Sequence, residues 1–282
     1  MKRILFLLTL FGYQVAFSQS YFGPISSGVG KTGRAAVQEE ESLYLNPAAI
    51  GHLSAGSLIL GNTQQESDAF SSWDYNMIVS ENGRDKLFPA SLGVRRGKIN
   101  FHGSQDLEYQ DVQWGMARHF KKYFAIGLSY RYYQTRFAQN SEYQSNFSVG
   151  GLYTPTPSIG LGLVGYDIFT PGHSIDATVR LQRRWGAGIT YLVNEFVRLH
   201  VDASGGSLQG SGRPIVAVGG ESYATKFWAF RAGMEKDPNK KANTTGLGVG
   251  FIGPRFQIQY GFQKSGEIKG FASHSVDFSM PF

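Results

Sequence analysis

The stretch RFQIQYGFQK puts Phe256, Ile258, Tyr260 and Phe262 on every second position, with Gln257, Gln259, Gly261 and Gln263 between them. Successive side chains of an extended strand point to opposite faces, so this segment forms a strand with one apolar face and one wet face. A face so rich in glutamine does not suit a dry core. The pattern recurs: FVRLHVDAS sets Val197, Leu199, Val201 and Ala203 against Arg198, His200, Asp202 and Ser204. YFAIGLSYRYY opposes Phe124, Ile126, Leu128, Tyr130 and Tyr132 to Ala125, Gly127, Ser129 and Arg131. TTGLGVGFIG opposes Leu247, Val249 and Phe251 to Gly246, Gly248 and Gly250. Apolar and often aromatic outside, small or polar inside, is what a barrel wall between lipid and an enclosed lumen requires. A soluble two-sheet sandwich alternates as well, so alternation alone does not separate the two.

Other features do. The chain opens on MKRILFLLTLFGYQVAFSQS, in which Lys2 and Arg3 precede an apolar run from Ile4 to Phe11 and a small-x-small pair, Ala16 and Ser18. That is the anatomy of a secretory leader, with cleavage expected after Ser18. At the other end, SHSVDFSMPF alternates back from a terminal Phe282 and resembles the C-terminal recognition signal of bacterial outer-membrane barrels. Beyond the leader no apolar run approaches the roughly 20 residues of a membrane helix, although aromatics make up 14% of the chain. Trp73, Trp114, Tyr123, Tyr153, Trp185 and Trp228 fall at strand ends, where an interfacial girdle needs them. The expected fold is therefore all-β: a transmembrane antiparallel up-and-down β-barrel of about 14 strands with an N-terminal plug, in the bacterial outer membrane.

The expected organisation is a leader over 1–18, a plug or hatch over 19–54 and a barrel over 55–282. The strands are expected at 55–63, 72–80, 88–103, 111–120, 122–136, 143–154, 157–167, 182–193, 195–204, 213–223, 225–235, 243–252, 254–264 and 272–282. With the C-terminus in the periplasm, the periplasmic turns near 121, 156, 194, 224 and 253 read as short. The opposite ones, such as DIFTPGHSIDATVR, AQNSEYQ and EKDPNKKAN, read as long and polar. In SLGVRRGKINF the apolar parity shifts between Leu92/Val94 and Ile99/Phe101. Gly97 is read as a β-bulge within one strand, with a tight hairpin and a fifteenth strand as the alternative.

Composition excludes several functions. With no cysteine there is neither a disulfide nor a thiolate metal site, and no metal or cofactor is expected. The formal charge of +6 is scattered, without a basic stripe for nucleic acid. SSGVGKTG spaces Gly28, Gly30 and Gly33 like a dinucleotide fingerprint and ends like a P-loop. However, Ile25 stands where a P-loop needs glycine, and neither a strand before nor a βαβ unit around supports nucleotide binding. His173, Ser174 and Asp176 are neighbours in one loop, which is not triad geometry. No enzyme is expected.

Residues 19–54 do not alternate. Ser26, Ser27, Gly28, Gly33, Arg34 and Ala35, then the acidic run Glu39 to Glu41, then Asn46-Pro47-Ala48, resemble the N-terminal hatch of the outer-membrane long-chain fatty acid transporter superfamily. The related barrels associated with type IX protein secretion share this pattern. The resemblance implies a compact plug formed or anchored by Gly28 to Ala35, Gly30 included, and by Asn46, Pro47 and Ala48. It also implies a hydrophobic small-molecule ligand that passes through the lumen and leaves through a gap in the wall. By strand parity Arg131, Arg198, His200, Arg231 and Gln259 face the lumen, where an arginine could meet a carboxylate. The alternative for each is a lumen ion pair, with Asp202, Glu235 or Asp277 as partners. Membrane lipid is an expected partner, and the second functional reading is a scaffold barrel that docks an envelope protein. An apolar cavity beside residues 19–54 favours transport, and its absence favours the scaffold.

Overall fold

The computed structural model describes residues 21–282 except 39, 82–85, 104, 121–122, 138–139, 170–174, 176–178, 207–211, 241 and 267. The leader expected over 1–18, Glu39 and the trio His173, Ser174 and Asp176 lie outside the described residues.

Fourteen antiparallel strands close into one barrel, each paired with its neighbours in sequence and β1 (Ser57–Glu66) paired with β14 (Ala272–Pro281). Between them run β2 (Phe70–Ser80), β3 (Ala90–Phe101), β4 (Leu107–Phe120), β5 (Phe124–Phe137), β6 (Asn140–Thr156) and β7 (Ile159–Tyr166). The circuit continues through β8 (Arg184–Val193), β9 (Val197–Gly206), β10 (Ile215–Tyr223), β11 (Trp228–Asp237), β12 (Ala242–Ile252) and β13 (Gln257–Ser265). Every expected strand is present. Closure leaves no strand of the wall with an unpaired edge, which hydrocarbon demands. The alternation sorts as the sequence requires. Leu199, Val201, Leu247, Ile258, Val276 and Met280 are exposed, whereas the interleaved His200, Asp202, Gln259, Ser275, Asp277 and Ser279 are buried.

Gly97 is neither a bulge nor a hairpin. Asp74, Gly97 and Tyr109 sit in one unbroken register across β2, β3 and β4. The parity of β3 never shifts; the chemistry of its inner face changes along it. Arg95 faces the polar middle of the lumen, and two steps beyond Gly97 the inward Ile99 joins Phe70 and Leu107 in an apolar cluster with Phe101, Tyr109, Val179, Ile268 and Phe271 at the mouth. Glycine at 97 leaves room for the Tyr109 hydroxyl to donate to Asp74 at 2.9 Å; a Cβ there would overlap both.

The rim carrying both barrel ends, Ser57 and Pro281, is termed the near rim. Its turns 157–158, 194–196, 224–227 and 253–256 are short as expected, but 81–89 is not. At the far rim, 138–139 and 238–241 are short where long loops were expected, because β5, β6, β11 and β12 pair on through polar sequence. Ladder hydrogen bonds are made by backbone and do not need apolar side chains. The 167–183 connection is long, yet parts of it are tied to the inner face of β6. Inward-facing Asn146 bonds the backbone of Phe169 at 2.7 and 2.9 Å, and Gln144 bonds Val179 and Leu181 at 2.8 Å each.

Candidate functional site

The described residues of 21–53 pack against the inner face of the wall. The segment opens with helix α1 (Pro24–Gly28), reverses, and ends in the single turn α2 (Ser42–Leu45) and a 3₁₀ turn, Pro47–His52. Nearly all of its described residues are buried. Its apolar side chains Leu43, Tyr44, Ile50 and Leu53 pack on inward Ile59, Ile78 and Ala117, while Ala48 and Ala49 pack on Ala125 and Leu152.

The fit depends on wall glycines. A Cβ at Gly246 would overlap the carbonyl oxygen of Ser27, and one at Gly127 would overlap the backbone between Pro47 and Ala48. Backbone lies directly against backbone, which any side chain prevents. Gly219, Gly233 and Gly261 form similar contacts with Val29 and Pro24. Within the segment, Gly28 ends α1 against Gly248. Gly30 (φ 71°) and Gly33 (φ 122°) turn the chain through conformations that side chains disfavour. The phosphate-like spacing is thus explained by seating against a wall.

Polar contacts fix the register. The Asn46 side chain accepts from Ala48 N at 3.1 Å and donates to the carbonyls of Arg34 at 2.9 Å and Gly151 at 3.2 Å. One residue thereby ties both arms of the segment to β6, and Pro47 begins the 3₁₀ turn. Arg34 meets Asp202 at 3.0 Å and Lys31 meets Glu235 at 2.8 Å. Glu41 accepts from the backbone N–H groups of Ile25 and Ser26 at 3.0–3.1 Å, at the start of α1.

The five residues assigned to the lumen by parity all face it, but they pair among the wall's own residues. Arg131 clamps Asp111 through two bonds of 2.9 and 2.7 Å, with Asp167 at 3.6 Å. Arg231 donates to Glu221 at 2.7 Å and to Gln259 at 2.8 Å, and Arg198 reaches Glu221 at 2.9 Å. His200 lies 3.1 Å from the Thr190 hydroxyl and 3.9 Å from Glu221. The expected partners Asp202 and Glu235 instead hold the inner segment, and the Tyr21 hydroxyl donates to Asp277 at 3.4 Å. Sequence reasoning missed Glu221 and Asp111, the acids at the centre of these clusters. A usable sign existed, since Glu221 stands on the same parity as Ala217 and Gly219, the small inward face of β10.

Burial raises the Glu41 carboxyl from 4.5 to about 7, against its bonds to Ser26 and Ile25, and Glu40 adds to the rise. Tyr21 and Ser26 from the opposite arm and Asp277 from β14 face the same region. A raised folded-state value means stability fully present below about 4.5 and lost as pH rises through about 7. The expected result is that the segment loosens by on the order of 2–3 kcal/mol between pH 5 and 8. Limited proteolysis within 21–53 as a function of pH, compared with Glu41→Gln, checks it; the variant should lose most of the dependence, leaving the part that the buried Glu40 contributes.

Beside the segment lies one small polar cavity of about 20 Å³, bordered by Tyr44, Gln113, Arg131, Tyr166, Asp167 and Arg184. That is room for a water. A closed antiparallel 14-strand barrel, apolar outside and ion-paired within, defines a transmembrane β-barrel by class.

No protein-family model matches the sequence, and no curated protein matches it in sequence. Solved structures do match in fold. The CymD monoaromatic hydrocarbon channel aligns over 92% of this chain and 97% of its own, with TM-score 0.75 and 12% identity. The Ralstonia pickettii toluene transporter TbuX aligns over 94% and 100%, with TM-score 0.73 and 15% identity. A Pseudomonas aeruginosa FadL homologue aligns over 92% and 97%, with TM-score 0.62 and 12% identity. The resemblance read from the N-terminal motifs is borne out as a likeness of fold over almost the whole chain.

Proposed function

We propose that this protein is an outer-membrane barrel that binds or passes hydrophobic small molecules, with residues 21–53 acting as its plug. The observation that carries the reading is the seating of that segment against glycine backbone on the inner face of the wall, of which it is not itself a part. The monoaromatic and toluene specificities named for CymD and TbuX support the ligand class. The near rim then faces the periplasm and the apolar mouth cluster faces outward. No catalytic role is assigned.

The cavity favours the second reading. It is polar and water-sized, not the apolar chamber that a transported hydrophobic ligand would need beside the segment. That is the property of a sealed barrel that docks an envelope partner.

One experiment separates the two. The chain has no cysteine, so Lys31→Cys with Glu235→Cys supplies the only thiols, across the contact between segment and wall. Cells with a lipopolysaccharide barrier that display this variant are given labelled toluene or oleate. Uptake above that of barrel-free cells, falling at least tenfold when the thiols are bridged by a short cross-linker, supports passage past a moving plug. Uptake equal to barrel-free cells in both states supports the scaffold.

A further inference from the structure

Where the inner segment ends, one of its rings meets a ring from the wall. His52 closes the 3₁₀ turn, and His119 points inward from the near-rim end of β4. Their ring centres lie 4.6 Å apart at an interplanar angle of 83°. Nε2 of His52 and Nδ1 of His119 are both buried, and neither has a hydrogen-bond partner. A buried polar atom left unpaired costs about 1–3 kcal/mol, so two such nitrogens on touching rings point to an occupant that satisfies both. The neighbours include small residues: the atoms nearest to a Cβ at Gly51 would belong to Ala125, Ala117 and His119.

We propose that His52 and His119 form a two-imidazole site for a divalent transition metal of the Cu²⁺ or Zn²⁺ class, which staples the end of the inner segment to β4. Such ions take neutral imidazole nitrogen at about 2.0–2.1 Å, so the two nitrogens must come within about 4 Å of each other. Rings centred 4.6 Å apart reach that by turning about χ2. The chain has no thiolate to compete, and among the described residues no group of three or more His, Asp or Glu offers a stronger site. Water fills the remaining positions, which makes this a weaker site than a closed four-ligand one. The inference does not depend on what the barrel transports.

The test is titration of the untagged full chain, refolded in detergent, with CuSO₄. The expected result is one Cu²⁺ per chain with two-nitrogen superhyperfine structure in electron paramagnetic resonance. Affinity should fall at least tenfold in His52→Asn and in His119→Asn but not in His274→Asn, which is exposed on the outer face. Barrel formation of each variant is confirmed first by heat-dependent gel mobility. Wild-type binding no tighter than that of the double variant, or a spectrum without two nitrogen ligands, overturns the proposal. A second measurement uses ZnCl₂ alone. It should slow proteolysis within 21–53 in the wild type and in neither variant, and equal protection in all three overturns the proposal too.

Discussion

Glu221→Ala is expected to cost about 3–5 kcal/mol of barrel stability, the range for breaking a buried ion pair from one side. Glu221 is 1% exposed and accepts bonds from Arg231 at 2.7 Å, Arg198 at 2.9 Å and the Tyr223 hydroxyl at 2.9 Å. Its removal leaves the buried Arg231 guanidinium with Gln259 alone. Arg198 is partly exposed and can turn to water, so Arg231 dominates the loss. The measurement is denaturant unfolding of the refolded barrel, followed by tryptophan fluorescence. Adding Arg231→Met should recover much of the stability, because replacing both buried charges by apolar volume is often nearly neutral. If the double variant is as unstable as the two single losses summed, the charges are not coupled in this way.

The second large effect is steric. Gly246→Val is expected to destabilise by about 3 kcal/mol, at the upper end of overpacking costs, because the atom in the way is the Ser27 carbonyl oxygen and not a side-chain tip. The inner segment must shift as a body to make room. Proteolysis within 21–53 should accelerate while the wall stays folded. Gly151→Ala is the control: its Cβ would meet only a Phe124 ring carbon at 3.9 Å, so it should be neutral or slightly stabilising. Equal behaviour of the two variants would show that the segment is not seated on the wall as described.

The two substitutions test different properties of one lumen. Ion pairs such as Arg131–Asp111 and Arg231–Glu221 hold strands of the wall to each other, whereas Arg34–Asp202 and Lys31–Glu235 hold the inner segment to the wall. Moving the segment therefore costs those two ion pairs, the Asn46–Gly151 bond and the apolar packing of Leu43, Tyr44, Ile50 and Leu53 on the wall, while the wall keeps its own ion-pair clusters.

Strand number, strand faces and the inward direction of Arg131, Arg198, His200, Arg231 and Gln259 were legible in the sequence, because a period of two fixes the side of every residue once one face is known to meet lipid. The parity of β3 was misread at Gly97, since an inner face that turns from polar to apolar past the membrane imitates a change of register. The tethering of Phe169, Val179 and Leu181 to the inner face was not legible either, as their anchors Gln144 and Asn146 differ in no local way from solvent-facing amides. Parity could have marked Glu221 as inward, but which acid meets which arginine was out of reach. Glu221 meets Arg231 because β10 and β11 pair in the register that sets those two opposite, and Asp202 meets Arg34 because the inner segment happens to cross β9 there. Alternation is a local property that the chain carries in every short window, so the sequence by itself decided the wall. The contents of the lumen depend on contacts between residues far apart in the chain, down to the overlap a single Cβ would cause, and only the closed barrel decides those.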